Sequence, residues 1–171
     1  SVEDYDHVLV MLHWGLEEST TPLPYQRDLA ARLKKAGVRA IIGSHPHLFY
    51  EIESDENFVC AYSLGNFVFD LCWDHRLLKS GILEVDFSED GLQCTLWPVT
   101  LKSSGCLPTP SGSPVKLEGA YTHYNLGERL YWWQAKKMIY FWLNIFRGDT
   151  PLKLRFFGAK IRRAVERVLA R

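Results

Sequence analysis

Apolar positions fall into distinct regimes along this chain. "HVLVMLHWG" (His7–Gly15) and "VRAIIG" (Val38–Gly43) are continuous apolar runs of strand length, the pattern of parallel strands covered on both faces. Between them, after Pro24, "YQRDLAARLKKAG" sets Leu29, Leu33 and Ala36 at helical spacing and closes on Gly37, a C-terminal stop. Strand, helix and strand with short links predict a βαβ unit whose two strands are parallel neighbours. "NFVCAYSLGNFVFD" and "GILEVDFSEDGLQCTLWPV" read as further strands, the latter a hairpin turning at Glu89-Asp90-Gly91. From Lys102 to Pro114 the chain turns to Ser, Gly and Pro, a linker. Two helices are predicted after it, about Glu128–Phe146 and Leu152–Arg171, divided by Arg147–Pro151. The expected organisation is an α/β domain over residues 1–101, a linker over 102–127 and a helical tail over 128–171.

Composition adds two constraints. The 171 residues carry no net charge, so no global field points to nucleic acid, and none is expected as a partner. Residues 147–171 nevertheless hold eight Lys/Arg against two Asp/Glu, a balance of +6 that leaves −6 to residues 1–146. The tail therefore has a character of its own. Cys60, Cys72, Cys94 and Cys106 show no CxxC spacing, which argues against a zinc ribbon or thioredoxin-type site. Cys60 and Cys94 lie in apolar runs and are expected to be buried. No run of 18 apolar residues is present. The chain has no initiator Met and enters a buried strand almost at once, which reads as part of something longer.

The candidate chemistry lies where the two parallel strands end. In open α/β sheets ligands collect beyond the carboxyl ends of the strands. The first strand ends in Leu12-His13-Trp14-Gly15 and the second in Gly43-Ser44-His45-Pro46-His47. Pro46 biases His45 towards an extended conformation. Side chains at i and i+2 of an extended segment share a side, roughly 6–7 Å apart. Imidazoles so placed can serve two ions about 3.5–4 Å apart, with His13 closing from the neighbouring strand. A lone histidine at a strand end is an ordinary rim residue; three on one rim point to a metal site. His7, His75 and His123 have no such company and are expected at the surface or an edge.

"MLHWGLEE", "IIGSHPHLFYEIE" and "YSLGNFVFD" (Tyr62–Asp70), in this order and spacing, resemble the second half of a CapA-type capsule-synthesis domain. These poly-γ-glutamate capsule proteins are built on the calcineurin-like metallophosphoesterase fold, a layered α/β sandwich. The resemblance covers roughly residues 6–100. It implies metal-ligand roles for His13, His45 and His47, and a divalent pair of Mn, Zn or Fe. It also implies that the family's Asp- and Asn-bearing motifs, which complete the ligand set, lie upstream of Ser1. Three neutral imidazoles alone do not balance two divalent charges, so this chain alone is expected to bind metal weakly or not at all.

Supporting residues follow. Glu17 lies four residues after His13, as in the family's His-Trp-Gly-x-Glu pattern, and is expected to touch substrate or back the metal ligands; the bland alternative is a solvated loop charge. Trp14 either walls the pocket or packs in the core. Asn66, after Ser63-Leu64-Gly65, either accommodates a tight turn or orients a ligand. Asp70 either accepts a proton from a metal-bound imidazole or caps a turn.

In the tail, Leu154, Phe157, Ile161, Val165 and Val168 form one helical stripe with Lys and Arg around the rest, suited to an anionic membrane surface. "RLYWWQAKKMIYFWLNIF" before it is rich in interface-type aromatics. Both helices packing on the domain with a basic face to water is the alternative. The expected function is biosynthesis, export or anchoring of an anionic surface polymer, by metal-dependent hydrolase or transferase chemistry, at the cell envelope or a membrane, with the cytoplasm as the alternative. A non-catalytic envelope component that binds polymer is the rival, and a peripheral membrane module the third reading.

Overall fold

The computed structural model of the protein describes residues 4–17, 19–70, 72–88, 91–102, 105–127, 133–146 and 150–169. Two compact units divide the chain, Ser1–Tyr131 and Trp132–Arg171.

The first unit opens with the βαβ element: β1 (Leu9–His13), α1 (Pro24–Lys35) and β2 (Ala40–Ser44). Pro24 starts α1, where a missing N–H costs nothing. The Gln26 side chain accepts from Leu23 N–H at 2.9 Å and closes the first turn. Gly37, at φ 93°, takes the left-handed position after the helix. β1 and β2 pair in parallel from Leu9↔Ala40 to His13↔Ser44, as the apolar runs predict.

A hairpin comes next: β3 (Ile52–Asp55), absent from the sequence reading, and β4 (Phe58–Ala61), which occupies only the start of the predicted strand segment Asn57–Asp70. β4 then pairs in parallel with β2. With β9 (Gly119–Tyr121) on β3, the first sheet runs β1-β2-β4-β3-β9. The second sheet is built on the long hairpin β5 (Lys79–Ser88) and β6 (Gly91–Lys102), with β7 (Leu107–Pro110) and β8 (Val115–Lys116) both on β6. Ser88 pairs with Gly91, as the predicted turn requires, although Glu89 and Asp90 lie outside the described residues.

β4 alternates between the two sides of the first sheet. Val59 and Ala61 join Ala40, Phe49, Ile52, Leu92, Cys94 and Leu96 in the buried cluster that includes both sheets. Phe58 and Tyr62 lie under Lys34 and Arg27 of α1, whose cations sit 5.2 and 5.4 Å from the ring centres. Helix, sheet and sheet make the layered α/β arrangement expected.

Three expectations change. The predicted helix stripe Leu29, Leu33 and Ala36 is only half-buried or exposed; Gln26 and Ala30 are the buried residues. β1 is not covered on both faces: it is the sheet's edge here, and Leu9 and Met11 are 52% and 82% exposed. Residues 102–127, read as a linker, carry β7, β8 and β9 within the first unit.

In the second unit α2 (Trp133–Leu143) and α3 (Thr150–Leu169) are helices close to the expected bounds. Phe157 stacks on Phe141 with ring centres 5.3 Å apart and meets Trp142 edge-on at 5.8 Å, joining the two helices. The expected helix start at Glu128 and the divider Arg147-Gly148-Asp149 lie outside the described residues, as does the side chain of Val168.

Candidate functional site

The register of β1 and β2 sets Leu12 beside Gly43 and His13 beside Ser44, so the two strands end together. Trp14 continues the ladder by donating its N–H to Ser44 O at 3.1 Å. Its indole then crosses β2, donates to Tyr62 O at 2.9 Å and stacks on the Tyr62 ring at 5.7 Å. At 7% exposure Trp14 is a core residue rather than a pocket wall. The crossing requires Gly43, because a Cβ there would lie 2.1 Å from Tyr62 O and 2.3 Å from Trp14 Nε1. A Cβ on Gly15, at φ 91°, would meet Pro46 Cγ at 2.9 Å, so the turn after β1 lies against the His-Pro-His turn.

The three histidines stand together on this rim. The rings of His13 and His45 are 4.5 Å apart between centres, and those of His45 and His47 6.3 Å. The extended conformation expected for His45 is not found. His45 and His47 take φ of 102° and 62°, the two non-glycine residues with positive φ among those described. Pro46 does disfavour the helical region for His45, but the chain escapes into the left-handed side of φ rather than into the strand. Each such residue costs on the order of 1–3 kcal/mol, and such strain clusters at functional sites.

Asn66 fixes the orientation of one ring. It is 6% exposed, and its Nδ2 donates to Leu77 O at 3.3 Å, which turns Oδ1 towards His47 Nδ1 at 2.8 Å. An acceptor there assigns the proton to Nδ1 and leaves the His47 Nε2 lone pair for a ligand. Asn66 thus orients the His47 ring and supplies its Nδ1 acceptor. Asp70 itself is exposed. Phe69 packs on His47 with ring centres 5.0 Å apart. Tyr50, 1% exposed, donates to Leu16 O at 3.2 Å, and burial pushes its phenol up to about 12, so it remains a donor that pins the loop carrying Glu17. Glu17 is half-buried in the turn after Gly15.

Whether these residues suit a divalent cation turns on their donor set. Neutral imidazole is a good ligand for Mn, Zn and Fe. His13 and His45 stand side by side, and His47 has its tautomer set. Among the described residues, however, no group of three or more His, Cys, Asp or Glu surrounds a single point. The three imidazoles suit a divalent cation as donors but do not make a complete one-ion site among the described residues.

The other histidines lie apart, as expected. His7 stacks on Phe87, His75 is exposed, and His123 bonds the Tyr121 hydroxyl at 2.8 Å. Cys60 and Cys94 are buried free thiols, and burial raises the pKa of both. Sequence reasoning missed Tyr50 and Phe69, and the Asn66–His47 pair spans 19 residues with no periodic pattern to mark it.

Comparison with known proteins bears on the same segment. Residues 1–71, which hold all six candidate site residues, match the family described as bacterial capsule synthesis protein PGA_cap. The chain is 41% identical over 86 residues to the PGA biosynthesis protein CapA of Bacillus subtilis (strain 168), covering 50% of this chain and 22% of that protein. It is 37% identical over 86 residues to the capsule biosynthesis protein CapA of Bacillus anthracis, covering 50% and 21%. The matched part spans about a fifth of the length of these curated relatives.

Proposed function

We propose, for a chain that through residues 1–71 belongs to the CapA-type bacterial capsule synthesis proteins, that its histidine rim performs metal-dependent hydrolysis or group transfer on an anionic capsule polymer or its precursor. One observation carries this reading: His13, His45 and His47 meet at the ends of two parallel strands, two of them on left-handed backbone. Strain of that kind is retained where a side chain must be aimed. When bound, a divalent cation supplies a Lewis acid that polarises a phosphoryl or acyl oxygen near neutral pH.

The chain's own residues have separable tasks. His13 and His45 present ring nitrogens from adjacent strand ends. His47 presents Nε2 because Asn66 occupies Nδ1. The ring of Phe69 packs against one flank of His47. Glu17, on the loop after β1, and Asp70, on the segment after β4, are assigned proton transfer or substrate contact. The relatives are named for capsule and PGA biosynthesis, and an anionic polymer is accordingly the proposed substrate class.

Elemental analysis after equilibration with Zn²⁺ or Mn²⁺ tests the reading. The expected result is metal retained by the wild type, weakly, and lost from His45→Ala/His47→Ala while circular dichroism keeps its shape. Equal metal in the two proteins would overturn it. Metal bound at the rim without hydrolysis of a phosphoester or γ-glutamyl substrate would assign the rim to polymer binding instead.

A further inference from the structure

The second unit presents an apolar surface bordered by positive charge. On α3, Leu154, Ile161 and Val165 are each about half exposed, and Leu169 is 80% exposed. They recur at helical spacing on one stripe. Trp142 of α2 is 53% exposed and Phe146, just beyond it, 87%. These large apolar side chains are not the price of a loose unit, because the stacked rings of Phe141 and Phe157 already hold the two helices together. Residues 132–171 carry ten Lys/Arg against two Asp/Glu. Arg155 and Arg162 are exposed beside the stripe, and Arg163 is exposed on the opposite face of α3; Arg162 has Glu166 one turn away at 3.9 Å.

We propose that this unit docks flat on an anionic lipid bilayer, with the α3 stripe and the aromatics of α2 in the headgroup boundary and the arginines on lipid phosphates. Three features select a lipid surface over another occupant. Excess charge of one sign around an apolar stripe is complementary to anionic headgroups. Trp and Phe at the margin match the interfacial preference of aromatic rings. Among the described residues no helix is long and apolar enough to cross a membrane, so the helices lie on the surface rather than through it. A second copy of the chain would bring two sets of the same positive charge together.

Co-sedimentation of the full 171-residue chain with phosphatidylglycerol or phosphatidylcholine vesicles tests the proposal. The chain should partition onto the anionic vesicles and be released by high salt, with little retention on the neutral ones. Each Arg neutralised at such a surface weakens partitioning roughly fivefold. Arg155→Gln/Arg162→Gln should therefore weaken it on the order of thirtyfold. Leu154→Ser/Ile161→Ser should also release it, while helical circular dichroism persists in both variants. Equal binding to both lipids, or retention unchanged by the arginine substitutions, would overturn the proposal. So would concentration-dependent dimerisation, removed by Leu154→Ser/Ile161→Ser, in a chain that ignores anionic vesicles.

Discussion

Replacing Asn66 by Ala would separate what this residue does for the fold from what it does for His47. The change removes two hydrogen bonds: the 3.3 Å donation to Leu77 O and the 2.8 Å contact with His47 Nδ1. Leu77 is 1% exposed, so water does not replace the lost donor. Leaving one buried carbonyl unpaired costs about 1–3 kcal/mol. The half-buried His47 ring recovers part of its loss from solvent, adding about 0.5 kcal/mol. The expected total is about 1.5–3.5 kcal/mol, read from urea unfolding followed by tryptophan fluorescence. Asn66→Asp provides the contrast. It keeps an acceptor for His47 Nδ1 but turns an oxygen towards Leu77 O, so stability falls by a similar amount while the His47 tautomer is retained. Nitrogen chemical shifts of the imidazole report that tautomer directly. The Nδ1–H form should be lost in Asn66→Ala and kept in Asn66→Asp. Asn66→Ala within about 0.5 kcal/mol of wild type, or an unchanged tautomer in it, would refute the assignment.

Three further outcomes are expected. Gly43→Ala drives a methyl into Tyr62 O and the Trp14 indole and should cost about 2–4 kcal/mol in urea unfolding. Burial first, and the Lys79 charge second, hold His123 below its ordinary 6.5. The folded chain thus takes up this proton less readily than the unfolded one, so the stability is present above pH 6.5 and lost as pH falls below it; His123→Asn should flatten that part of the profile. An open edge strand favours self-association; Met11→Lys, on the exposed face of the edge strand β1, should leave stability within about 0.5 kcal/mol and give less light scattering than the wild type at equal concentration.

Legibility followed the range of the forces involved. α1 was readable because Pro24 and Gly37 mark its ends locally, and the β5–β6 hairpin because its apolar positions alternate around a short turn. β3 was not: "IESD" has one large apolar residue, and its partner β9 is more than sixty residues away. β7 escaped because Pro108 and Pro110 signal a break, yet an edge strand tolerates them. Which side of β1 is covered depends on neighbours that no pattern within the strand specifies. At the site, the parallel βαβ unit was enough to bring His13 towards His45 and His47. The left-handed backbone of those two carries no sequence signature, since neither is Gly. The partnership of Asn66 with His47 arises from the bridge Phe49↔Leu64, which fixes the two segments side by side.

The central claim is that the three rim histidines act together on one class of ligand. Paramagnetic broadening of imidazole resonances by Mn²⁺ tests it most directly, because it detects weak binding without activity. Low Mn²⁺ should broaden His13, His45 and His47 together and leave His7, His75 and His123 sharp, and in His45→Ala/His47→Ala the remaining rim resonance, His13, should stay sharp. Broadening spread evenly over all six histidines, or absent from His13, would contradict the account.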